Sequence, residues 1–79
     1  MREFGFWCQK VLPLVYDDSL SYYEVLCKIR DKLNELIKQD ELFGEALKQV
    51  QSELAEIEKW IANFNTEFVK ELVEKYVAT

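Results

Sequence analysis

From Leu26 to Phe68, large apolar side chains recur at alternating steps of three and four residues. The series runs Leu26, Ile29, Leu33, Leu36, Asp40, Phe43, Leu47, Val50, Leu54, Ile57, Ile61, Phe64 and Phe68, with Asp40 its one polar member. A repeat averaging about 3.5 residues keeps one seam of a helix turned toward a partner, as a coiled coil requires. The pattern predicts an all-α chain in which one long helix over 21–79 forms a stalk. At roughly 1.5 Å per residue, the straight part over 26–68 would span about 65 Å. Such a stripe needs cover, and further copies of the chain are its expected source.

With Leu26 at heptad position a, Leu predominates at a, while Ile29 and Ile57 sit at d together with Phe43 and Phe64. Leu at a with Ile at d tilts toward three or four strands, and Phe at d suits a roomier interior than a dimer offers. Ile37, Ala46 and Trp60 flank the seam and widen it. The expected assembly is a parallel homotrimer, with a dimer or an intramolecular bundle as alternatives. Asp40 reads as a register lock at the axis, or as the cap of a new helix. In that second reading Lys38-Gln39-Asp40-Glu41 and Gly44 mark a turn between antiparallel helices. The unbroken heptad phase favours the continuous helix, although Gly44 costs about 1 kcal/mol against Ala inside one. After Phe68 the steps lengthen to Leu72 and Tyr76, with Val69 and Val73 beside them, which widens the apolar face.

Residues 1–20 form a separate aromatic segment in this reading. Phe4, Trp7 and Val11 share a helical face, so a short helix over about 3–11 is predicted. Pro13 ends it and pushes Leu12 toward extended geometry, leaving Leu14-Val15-Tyr16 as a connector. Ser21 followed by Glu24 fits a capping box for the long helix, with Ser19 a competing cap. Asp17 and Asp18 favour the positive end of its dipole. Aromatic residues bury large area at low entropy cost, so Phe4, Phe6, Trp7, Val11, Leu12, Leu14, Tyr16, Asp17 and Asp18 are expected to dock on a partner. The alternative folds Phe4, Phe6, Trp7 and Tyr16 back onto the base of the coil.

Composition trims the remaining possibilities. Hydrophobic residues make up 49% of the 79, charged residues 32%, and the net charge is −5. That balance does not fit a disordered tail, a nucleic-acid binder or a protein of an anionic membrane surface. No window of apolar residues is long enough to span a bilayer, and Arg2, Glu3 and Lys10 do not fit a signal peptide. Cys8 and Cys27 read as small reduced hydrophobes, with a disulfide between them the alternative. No His is present, so neither a zinc site nor a paired nucleophile is expected. The acid pairs Glu53 with Glu56 and Glu71 with Glu74 read as solvated helix faces rather than catalytic carboxylates. No cofactor, metal or small-molecule substrate is expected.

The stretch from Phe6 to Lys28, with VLPLVYDDSLSYYE over 11–24, resembles the opening segment of fibre proteins of tailed bacteriophages. Lys32-Leu33-Asn34-Glu35-Leu36-Ile37 matches the continuation of that pattern, so the resemblance covers about residues 6–37. It implies a virion structural protein assembled in the host cytoplasm, the base of a homotrimeric head or tail fibre. Residues Trp7 to Glu24 would then attach to another virion protein of the capsid, collar or tail. In such chains the exposed domain lies beyond the stalk, so host binding is not expected of these residues. A cellular coiled-coil adaptor recruiting a partner through the same aromatic segment is the alternative.

Overall fold

The computed structural model describes residues 3–77, which form four helices and no strand. They are α1 (Phe6–Val15), α2 (Tyr22–Lys38), α3 (Gly44–Ala62) and α4 (Thr66–Val77). The principal packing is α2 against α3, with α1 laid across α2, α3 and α4. The longest dimension is 34 Å, about half the length of the expected rod.

The chain is thus all-helical, but the expected single helix over 21–79 is three helices in the folded chain. α2 stops where Gln39 N–H reaches Glu35 O and Asp40 N–H reaches Ile37 O, at 3.0 and 3.3 Å. Asp40 then enters the left-handed region at φ 57°, and Gly44 does so at φ 59°. Asp tolerates that region better than most residues with a Cβ, and Gly enters it freely. The second break is capped by side chains: Asn65 Oδ1 accepts from the Phe68 N–H at 3.1 Å and opens α4. Asn63 closes α3, its N–H on Lys59 O at 2.9 Å.

α2 begins where the capping-box spacing places it. The Ser21 hydroxyl accepts the Glu24 N–H at 3.2 Å. The Glu24 carboxylate meets that same hydroxyl, also at 3.2 Å, rather than the Ser21 backbone. Ser21→Ala is expected to lower stability by about 1 kcal/mol, which chemical denaturation of the isolated chain measures; an unchanged midpoint would remove the cap from the account. Upstream, Asp17 folds the α1–α2 turn by accepting both the N–H and the hydroxyl of Ser19 at 2.9 Å.

α1 runs past its expected end, with Pro13 inside it. Pro13 sits in the last turn and faces outward. The hydrogen bond it cannot give would have gone to Gln9, which is exposed, so water can serve that carbonyl. Helical geometry resumes at once, with Tyr16 N–H on Leu12 O at 2.9 Å. The N-terminal segment is also no separate piece. Phe4, Cys8, Val11 and Leu12 share one core with Val25, Leu26, Ile29 and Leu33 of α2, Val50, Ile57 and Trp60 of α3, and Val69, Leu72 and Val73 of α4.

The heptad stripe is therefore covered from within. Leu26, Ile29, Leu33, Val50 and Ile57 are fully buried. Leu36, Leu47, Leu54, Ile61, Phe64 and Phe68 are half-buried, while Asp40 and Phe43 are exposed at the turn. A three-four repeat placed on two antiparallel helices closes on itself as readily as on a second chain.

Candidate functional site

The nine residues expected to dock separate into three groups. Phe4, Val11 and Leu12 are buried, so they hold the fold and present nothing to a partner. Phe4 packs against Trp60 and Tyr76, with ring centroids 5.7 and 5.6 Å away. Trp7 and Tyr16 are half-buried. Phe6 and Leu14 are 56% and 73% exposed, and Asp17 and Asp18 are exposed beyond them.

Helical spacing sets Phe6, Lys10, Pro13 and Leu14 along one outer stripe of α1, with Asp17 in the turn that follows. The Lys10 ammonium lies 4.7 Å from the Phe6 ring centroid, a cation–π contact at the surface. The Trp7 ring meets Phe6 edge-on at 5.4 Å, which holds the exposed ring in place. Hydrogen bonding to the Asp18 carboxylate, with its charge, pushes the Tyr16 phenol above its ordinary range. The stripe offers an aromatic ring, a cation and an aliphatic pair, with the acids Asp17 and Asp18 in the turn beyond it.

A second constellation was invisible in the sequence. Glu53 is not on a solvated face: it is 5% exposed, while Glu56 is exposed. Gly5 precedes α1 and carries no side chain to cap it. Glu53 supplies that cap from α3, accepting the Cys8 N–H at 2.9 Å through Oε1. Its other oxygen accepts from Gln49 Nε2 at 2.8 Å. A carboxylate at a helix N-terminus both takes an orphan donor and meets the positive end of the helix dipole. The approach is close because residue 5 is glycine: a Cβ there would stand 2.8 Å from Glu53 Cγ and closer still to its carboxyl carbon. Burial, and then the Glu53 charge beside it, push the Cys8 thiol far above its ordinary value. That keeps it protonated and a poor nucleophile.

An open cleft of about 860 Å³ lies over this cap, lined by Gly5, Gln49, Glu53, Glu56, Lys59 and Trp60 among others. Its buried carboxylate has both oxygens occupied by donors from the chain. At the rim Lys75 reaches Glu3 at 2.7 Å, which holds the Glu3 carboxyl below its usual range. Among the described residues no three His, Cys, Asp or Glu side chains are placed to share a metal ion. No described helix is long and apolar enough to cross a membrane. Both thiols are free, with Cys8 buried and Cys27 half-buried. No protein-family model, curated protein or solved structure matches the chain.

Proposed function

We propose that this chain is a structural docking module of a tailed-phage virion, the base of a fibre, held to another virion protein by the outer stripe of α1. The observation that carries the reading is the exposure of Phe6 and Leu14 on a helix whose other face is core. Large apolar side chains left exposed about two turns apart on the outer face of one helix are what a partner surface would cover. The opening stretch from Phe6 to Lys28, with its likeness to phage fibre chains, supplies the kind of partner. Assembly in the host cytoplasm and a place in the virion belong to the same proposal. So does the homotrimeric stalk, whose seam residues, Asp40 and Phe43 apart, are buried or half-buried in the single folded chain and become available only if α2 and α3 separate.

Deleting residues 1–20 would not make a clean test, because it would remove Phe4, Val11 and Leu12 from the core. The double substitution Phe6→Ser with Leu14→Ser leaves that core alone. It is expected to melt within about 0.5 kcal/mol of the parent and to be missing from purified particles that contain the parent chain. Particles lacking the parent chain would end the virion reading. Particles that take up the double variant equally well would move the docking face elsewhere. A cellular adaptor using the same stripe is the second reading, favoured by a core that closes within one chain.

A further inference from the structure

We infer that the turn Gln39–Phe43 is a hinge through which two copies of this chain exchange their α1–α2 halves. The inference deepens the assembly part of the proposal above and does not rest on the virion part. Three observations carry it. The heptad phase passes through the turn without a slip, as Leu33, Leu36, Asp40, Phe43, Leu47 and Val50 keep steps of three and four. A turn that served only as a turn would place no demand on that phase. Straightened, the segment joins α2 and α3 into one helix with a single unbroken seam.

The second observation is the make-up of the turn itself. Gln39, Asp40, Glu41 and Leu42 include neither Gly nor Pro, so each can continue a helix. The closed form instead holds Asp40 at φ 57°, in the left-handed region that residues with a Cβ enter only at a cost. The third observation is Phe43, 75% exposed between half-buried Leu36 and Leu47. It is the most exposed large apolar side chain among the described residues, and an opened seam would cover it at position d.

The occupant is a second copy because only a second copy can restore what opening breaks. α1 packs on α2, and both pack on α3 and α4. Once two opened chains cross, α1–α2 of one meets α3–α4 of the other, and every contact of the closed core forms again between copies. The exchanged form gains a covered Phe43 and releases Asp40 from its positive φ. It gives up the entropy of one free molecule, so it grows with concentration.

The test changes the hinge and leaves the core alone. Asp40→Ala with Gly44→Ala strains both left-handed positions and favours helix; no atom lies within 4 Å of a Cβ built at Gly44. Asp40→Gly does the opposite at residue 40. After refolding from denaturant at high concentration, light scattering is expected to show D40A/G44A at twice 9.4 kDa. The ratio of opened to closed chains is expected to rise roughly tenfold or more per substituted position. D40G is expected to stay at 9.4 kDa, with the parent between the two. If the double variant fails to fold, the order D40G, parent, D40A in dimer fraction decides the matter in the same way. A monomeric, folded D40A/G44A overturns the inference, as does equal association of D40G. A mass of three times 9.4 kDa also overturns it, and favours the parallel stalk instead.

Discussion

Replacing Gly5 with alanine is expected to cost the fold about 2–3 kcal/mol, a large effect for one added methyl group. The new Cβ would overlap the Glu53 carboxyl group, whose carbon lies closer than the 2.8 Å Cγ contact. A surface glutamate would swing aside. Glu53 is instead 5% exposed and pinned at both oxygens, by the Cys8 N–H at 2.9 Å and by Gln49 at 2.8 Å. Moving it takes the acceptor from a buried helix N-terminus and leaves that donor unsatisfied. Glu53→Ala removes the same cap directly and should cost a similar amount, about 2 kcal/mol. The decisive measurement is the cycle of both changes by urea denaturation. In the Glu53→Ala background, Gly5→Ala should cost only a few tenths of a kcal/mol, because little remains to collide with. Equal costs in the two backgrounds would mean that something other than the carboxylate excludes a side chain at residue 5.

Phe4→Ala should weaken the fold further, by about 3–5 kcal/mol. Its ring is 2% exposed and lies between Trp60 of α3 and Tyr76 of α4. Trp60 in turn meets Phe68 edge-on at 5.3 Å, so one aromatic cluster ties the chain start to both later helices. Truncating Phe4 opens a cavity in that cluster and removes its tilted ring contacts with Trp60 and Tyr76. The contrast with Phe6, two residues on, separates core from docking surface. Phe4→Ala should shift the denaturation midpoint strongly and Phe6→Ala hardly at all. If the two shifts were reversed, the division of the N-terminal aromatics into core and surface would be wrong.

The helical class, the Ser21 start of α2 and most of the apolar set were legible in the residues. The turn over 39–43 was legible only as the alternative to a continuous helix, and the reason is physical. Heptad periodicity reports that a stripe is buried, not which chain buries it, so an unbroken phase favoured the continuous helix over the antiparallel return at Asp40. The turn also lacks the Gly-Asn or Pro signature that would have announced it, apart from Gly44 at its edge. Pro13 was read as a stop because proline breaks helix interiors; in a last turn that faces water, the lost bond matters less. The second break did carry a signal: Asn63 and Asn65 bracket Phe64, and asparagine is a strong cap. The Glu53 cap had only an indirect trace, a helix opening at Gly5 with no Ser, Thr, Asp or Asn to serve it. A start lacking its own acceptor must borrow one, and nothing local names the lender.

The Glu3–Lys75 pair and the Phe4–Tyr76 ring contact have a consequence for how the fold could be rewired. They bring positions 72 residues apart within one side chain's reach. A covalent cross-link between the side chains at 3 and 75 would therefore fasten the start of the described chain to α4 where the ion pair already does. The same proximity couples the start of the described chain to its last helix, so that fraying of α4 would also uncover Phe4.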